Sequence, residues 1–211
     1  MAFSGRGVRL AGASRKGTDS IANEDAFRLF HEASCGVVFD GAGRANQAAK
    51  RGASQFERLL RNRPPVSLPD WAHLAKLIDS FLVGIGRSTL AGFRFVRGES
   101  GWIVSGVVIG DAKLLHVSRE GEVRFVSQSG KDFLGTGAID PVGVYLRPQQ
   151  HDIVVAASDG AWAALGGAHK MVREILSVAL RGPIAEVPVR LLEKPRFLLD
   201  DATLVIGILD E

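Results

Sequence analysis

The sequence predicts an α+β fold: a four-layer α-β-β-α sandwich of two mostly antiparallel sheets flanked by helix pairs. Two observations carry this reading. Strand-like runs arrive in consecutive blocks and do not alternate one-for-one with helices, which disfavours a wound parallel sheet. Two pairs of amphipathic segments interrupt and follow those blocks, and sheets with an apolar outer face need such helices as cover.

The elements follow in order. Residues 6–13, 26–31 and 35–40 are short Val- and Phe-containing runs between turn residues and read as three strands. Residues 44–62 place Ala45, Ala48, Ala49, Phe56, Leu59 and Leu60 on one face at helical spacing. After the turn Arg63-Pro64-Pro65-Val66-Ser67-Leu68-Pro69, Asp70 is expected to cap a second helix whose stripe is Trp71, Leu74, Leu77, Ile78, Phe81 and Leu82. Four strand-like runs follow at 89–97, 102–109, 112–118 and 122–127, with Glu120-Gly121 as a hairpin turn between the last two. Residues 151–157 form another strand. Helices are expected at 168–181 and 184–193, Pro183 standing near the start of the second. The apolar run 202–209 closes the chain as a buried strand.

Composition narrows the function classes. The 211 residues are 46 % hydrophobic and 23 % charged, which fits a packed globular protein and not a disordered one. Lys plus Arg is 26 and Asp plus Glu is 23, a net charge of +3. That is too small to argue for nucleic acid or an anionic membrane as partner. Cys35 is the only cysteine, so no internal disulfide and no thiolate metal site can form. The residues after Met1 lack a signal peptide's apolar core, and no run approaches the roughly 20 apolar residues of a membrane span. No repeat divides the chain, and the Pro-rich turn is too short for a linker. The expectation is one domain over 1–211, monomeric and cytoplasmic.

The chemistry lies in acidic residues at strand ends. Asn23-Glu24-Asp25 precedes one strand, Asp40-Gly41 ends another, Ser158-Asp159-Gly160 follows a third, and Asp200-Asp201 precedes the last. Gly110-Asp111 sits at a turn between two strands. Each alone reads as a turn, since Asp-Gly is a common turn pair. Together they are a different matter. Carboxylates beside strand cores are tolerated when paired, hydrogen-bonded or bound to a cation. Several converging at one rim would repel, and a hard divalent ion (Mg²⁺, Mn²⁺ or Ca²⁺) would relieve that repulsion through oxygen ligands.

The order of these spots resembles the metal-dependent protein phosphatases of the type 2C (PPM) family. Asn23-Glu24-Asp25-Ala26-Phe27 and Val37-Val38-Phe39-Asp40-Gly41-Ala42-Gly43 are similar to its first two signatures. Gly110-Asp111-Ala112-Lys113 is similar to its Gly-Asp-Ser-Arg turn, and Ala157-Ser158-Asp159-Gly160-Ala161-Trp162 to its Ser-Asp-Gly-x-Trp element. Asp200-Asp201-Ala202-Thr203 is similar to its closing Asp-Asn-x-Thr. The resemblance spans about residues 6–209 and implies a compact, bacterial-style member.

That resemblance implies a serine/threonine protein phosphatase working with two Mn²⁺ or Mg²⁺ ions on a phosphoprotein. Asp40 would bridge both ions, the Gly41 carbonyl would bind one, and Asp159 and Asp200 would complete the other. Glu24 and Asp25 would hold metal-bound waters. A hydroxide bridging the ions would attack phosphorus in line, and no protein nucleophile is needed.

Four departures from the family pattern shape the expectation. Ser20 stands where members commonly carry a phosphate-clamping arginine, leaving Arg15 or Lys16 on the same loop as possible substitutes. Ala42 replaces a frequent histidine. Ala163 replaces an acidic residue, so Asp111 is left as a possible ligand of a third metal or as a turn residue. The segment between 127 and 151 is too short for the substrate-contacting flap of larger members. The alternative these departures raise is a phosphatase-fold domain, weak or inactive as an enzyme, that binds a protein partner. Clustered carboxylates that would be destabilising without metal argue against it.

Other readings are weaker. Gly41-Ala42-Gly43-Arg44-Ala45-Asn46 lacks the third glycine and the later acidic residue of a dinucleotide fingerprint. An aspartyl nucleophile would want a second Asp where Ala42 stands. His31, His73, His116, His151 and His169 are scattered without ligand spacing; Trp71 and Trp162 read as core; Arg58, Arg61 and Arg63 read as a solvated helix end.

Overall fold

The computed structural model describes residues 7–42, 47–179 and 183–210. The strands are β1 (Val8–Arg15), β2 (Ala26–Phe30), β3 (Cys35–Ala42), β4 (Arg87–Gly98), β5 (Gly101–Ile109), β6 (Lys113–Val117), β7 (Val123–Val126), β8 (Val142–Leu146), β9 (Ile153–Ala157) and β10 (Ala202–Leu209). The helices are α1 (Ala48–Asn62), α2 (Leu68–Leu82), α3 (Asp159–Ala164), α4 (Gly167–Ala179) and α5 (Val187–Glu193), the last preceded by a 3₁₀ turn at Ile184–Glu186. Two five-stranded sheets form, in the orders β1-β10-β9-β6-β7 and β2-β3-β4-β5-β8. Every pairing among the described strands is antiparallel.

Three apolar layers separate four layers of structure, as the α+β sandwich requires. Leu10, Val38, Ala91, Phe93, Val154, Ala156 and Val205 pack between the sheets. Val37, Phe39 and Leu90, on the opposite face of the second sheet, pack with Phe56 of α1 and Trp71 and Ile78 of α2. Val155, Leu204 and Ile206 of the first sheet pack with Met171 and Ile175 of α4 and Leu191 of α5. The alternation of Val37 and Val38 between two cores is the period-two signature of a strand buried on both faces. Trp71 is fully buried, 5.9 Å from the Phe56 ring, and its indole N–H donates to Ser105 Oγ at 3.1 Å.

Several elements differ from the sequence expectation. Strand β8 lies in the segment read as connection, because only Val144 of its five residues is buried and no apolar alternation announces an edge strand. Helix α2 begins earlier than Asp70. Ser67 is the N-cap, and Asp70 is the third helical residue of a reciprocal capping box. The expected helix over 184–193 is divided, with Pro188 in the first turn of α5 after the 3₁₀ turn. Helix α3 was too short to leave a periodic signal. The hairpin at Glu120-Gly121 forms, with Gly121 at φ +88°. Expected element ends at residue 6, at 44–46 and at 180–181 lie outside the described residues, as do Gly43 to Asn46 of the glycine-rich stretch.

Candidate metal centre

Three elements converge at one end of the sandwich. Strand β3 runs from buried Val37, Val38 and Phe39 to Asp40, which pairs across to Thr89 of β4. The buried hydroxyl of Ser88 donates to the Asp40 carbonyl at 2.8 Å and fixes the strand end. Strand β9 ends at Ala157, and Ser158 caps α3, so that Asp159 opens the helix. Ser158 Oγ also accepts the Thr203 N–H at 2.9 Å, locking β10 to that turn. Asp111 stands where the chain crosses from β5 in the second sheet to β6 in the first. Carboxylate oxygens of Asp40, Asp111 and Asp159 all lie within 4.8 Å of one another.

Charge repulsion is built into this end. The Asp40 carboxyl is pushed far above the usual carboxylate range, first by burial and then by the charges of Asp25 and Asp159. Asp159 is raised by burial; a hydrogen bond with Asp40 opposes this, while Asp111 and Asp200 add repulsion. Buried Asp25 is raised to about 6, again chiefly by burial, against the hydroxyls of Thr203 and Ser158. Glu24 is raised by burial and by Asp201 and Asp200, with Lys50 pulling the other way. Asp200 therefore lies within electrostatic reach of both Asp159 and Glu24, although it is outside the tight Asp40–Asp111–Asp159 group.

Among the described residues, two buried polar atoms have no hydrogen-bond partner, Asp25 Oδ2 and Thr89 Oγ1, and both flank Asp40. Unsatisfied buried oxygens beside a repelling carboxylate cluster fit a hard cation with its waters, which supplies positive charge and donors together. The all-oxygen donor set fits Mg²⁺ or Mn²⁺ and not a thiolate-loving metal.

Packing explains the glycines of the motifs. A Cβ on Gly41 would stand 2.9 Å from the Glu24 carbonyl, and one on Gly160 would stand 2.0 Å from the Asp201 carbonyl. Each glycine lets an acidic loop close onto a strand end. Asp201 performs a task the sequence reading did not assign to it. Its two oxygens accept the Gly17 N–H at 2.7 Å and the Glu24 N–H at 2.5 Å, pinning the loop between β1 and β2 against the start of β10. Thr89 was likewise not singled out; its one signal was a polar residue inside an apolar strand.

The residues considered for phosphate are occupied elsewhere. Arg15 Nη1 donates to the carbonyls of Leu192 at 2.7 Å and Pro195 at 2.8 Å. Lys16 Nζ donates to the Ser20 carbonyl. Ser20 stays on the same loop, its hydroxyl beside Gly17. Of the scattered histidines, His116 is buried and shares a 2.8 Å hydrogen bond with Asp152, far along the sheet from the acidic end.

No family model matches the sequence, and no curated protein does. Solved structures do match. The serine/threonine phosphatase PstP of Mycobacterium tuberculosis is 17 % identical, covering 97 % of this chain and 100 % of that one, at a TM-score of 0.79. A PstP catalytic domain in complex with two manganese ions matches as well, at 18 % identity and a TM-score of 0.79 over 97 % of this chain and 99 % of that one. The PPM Ser-Thr phosphatase MsPP of Mycobacterium smegmatis is 19 % identical, covering 96 % and 98 %, at 0.76. PppA, a regulatory component of the type VI secretion system in Pseudomonas aeruginosa, is 21 % identical, covering 95 % and 96 %, at 0.75. From end to end, then, the two sheets and their helix layers have the fold of the PPM serine/threonine phosphatases.

Proposed function

We propose that this chain is a metal-dependent serine/threonine protein phosphatase, a single PPM-type domain over 1–211 without a flap subdomain. The observation that supports it most is the meeting of Asp40, Asp111 and Asp159, three acidic motifs far apart in sequence, at one end of a PPM-type sandwich. Asp40, the Gly41 carbonyl, Asp159 and Asp200 would hold two Mn²⁺ or Mg²⁺ ions, and Asp111 is near enough to Asp40 and Asp159 to serve a third. Bound there, the ions supply Lewis acidity, which acidifies water and offsets charge on the phosphoryl oxygens.

The chain's own groups do the rest. Asp25 Oδ2, buried and without a hydrogen-bond partner among the described residues, would accept a hydrogen bond from water at the cluster. Glu24, held in place through its backbone by Asp201, would accept another. Asp201 keeps both acids over the strand ends, so little reorganisation is needed as charge builds on the phosphoryl group. Ala42 offers no proton, so the leaving alkoxide takes one from water. The substrate is a phosphoserine or phosphothreonine protein, and the enzyme acts as a cytoplasmic monomer with no nucleic-acid or membrane partner.

The test is hydrolysis of para-nitrophenyl phosphate with Mn²⁺ by the wild type and by Asp40→Asn. Turnover by the wild type and its loss in the variant are expected. Equal background rates in both would leave the partner-binding domain as the surviving account.

A further inference from the structure

Resting on that reading, we propose that Lys50 and Arg51 form an anion-binding subsite for the substrate beside the acidic cluster. A cavity of about 470 Å³ opens between the loop before β2 and the first turns of α1, lined by Ala22, Gln47, Lys50, Arg51 and Ser54. Among the described residues its lining carries two positive charges and no carboxylate. Both side chains are exposed, and neither makes an ion pair or side-chain hydrogen bond with another described residue. The cavity adjoins the site, since Ala22 lies two residues before Glu24 and the charge of Lys50 acts on the Glu24 carboxyl.

Several other cations of the same loop and of α1 and its end have structural partners. Arg61 pairs with Glu57 and Arg63 with Asp70, while Arg15 and Lys16 are bound to backbone carbonyls. Lys50 and Arg51 have no such partner among the described residues. A phosphoryl dianion approaching Asp40, Asp111, Asp159, Asp200 and Glu24 meets a wall of like charge. Cations on its flank offset that repulsion, Arg51 with a planar fork for two oxygens and Lys50 as a point charge. The anion is either the phosphoryl group itself or an acidic side chain next to it in the substrate. Ile21, wholly exposed next to Ala22, gives the same rim an apolar contact for a protein substrate.

The experiment compares the wild type with Lys50→Ala/Arg51→Ala, both changes being exposed and helix-compatible, and uses Arg58→Ala on the same helix as control. KM and kcat are measured with Mn²⁺ on para-nitrophenyl phosphate and on phosphothreonine peptides with acidic or alanine neighbours, together with inhibition by inorganic phosphate. KM is expected to rise about tenfold, with kcat changing less. If the subsite takes the phosphoryl group, the rise is common to all substrates and phosphate inhibits more weakly. If it takes a neighbouring acid, the rise is greatest for the acidic peptide. No change in any KM or in phosphate inhibition overturns the proposal. Binding of a fluorescent acidic phosphopeptide to Asp40→Asn, with and without the double change, provides a readout independent of turnover. Absence of turnover in the wild type would sink the phosphatase reading, while the peptide titration would still decide the subsite.

Discussion

Gly160 and Asp201 meet so closely that a Cβ on the glycine would lie 2.0 Å from the Asp201 carbonyl oxygen. This contact seats the first turn of α3, with Asp159, against the start of β10, with Asp200. Backbone against backbone cannot yield as a flexible side chain would. Gly160→Ala is therefore expected to cost about 1–3 kcal/mol and to abolish Mn²⁺ binding, measured by urea denaturation and by isothermal titration. An unchanged denaturation midpoint together with wild-type binding heat would contradict it.

The Asp40 carboxylate is costly to the metal-free fold. Its half-buried carboxyl faces the charges of Asp25 and Asp159, and both raise the cost of its own charge. Asp40→Asn removes one member of the repelling group, so the metal-free variant is expected to be more stable than the wild type by about 0.5–2 kcal/mol. Addition of Mn²⁺ should raise the melting temperature of the wild type and leave that of the variant in place. Thermal melts with and without Mn²⁺ measure both effects, and a less stable metal-free variant would contradict the account.

Asp201 acts through two amides. Replacement by alanine leaves the Gly17 and Glu24 N–H groups without their acceptor, at about 1–3 kcal/mol each where they stay buried. Faster hydrogen exchange at Gly17 and Glu24 is expected, with β4 and β5 protected as before. Asp201→Asn, which keeps one acceptor oxygen, should lie between the two.

Thr89 gives the opposite sign. Its buried Oγ1 has no hydrogen-bond partner among the described residues, so Thr89→Val is expected to stabilise the metal-free fold by about 1 kcal/mol. The same change should weaken Mn²⁺ binding, because the hydroxyl is the polar group across the strand pair from Asp40. Chemical denaturation and titration calorimetry separate the two effects.

The cap of α2 sets an acid-side dependence. Asp70 is held below the usual carboxylate range, chiefly by the Ser67 hydroxyl and also by the Val66 and Ser67 N–H groups. A depressed folded pKa means that the unfolded chain binds the proton more readily. The stabilisation is thus complete above the unfolded Asp value of about 3.9 and is lost as pH falls through the lower folded value. Ser67→Ala should cost about 1 kcal/mol at neutral pH and flatten stability loss below pH about 4, read from denaturation curves across that range.

Much of this protein was determined by sequence alone. Apolar runs in blocks dictated two stacked sheets, because period-two burial is a local property of each strand. The acidic motifs were visible because Asp40, Asp159 and Asp200 break apolar patterns at strand ends, where a lone carboxylate has no packing purpose. Strand β8 was not visible, since an edge strand with exposed Val142 and Tyr145 has no alternation to detect. Only the tertiary structure decided which acids meet. It drew Asp111 into the group with Asp40 and Asp159, gave Asp201 to two loop amides, tied Arg15 to carbonyls at and just beyond the end of α5, and brought the charge of Lys50 to bear on Glu24. Those outcomes depend on distances between segments up to 184 residues apart in the chain, such as Gly17 and Asp201. Residue type sets what a side chain can bind, but the packing of the two sheets sets which partner reaches it.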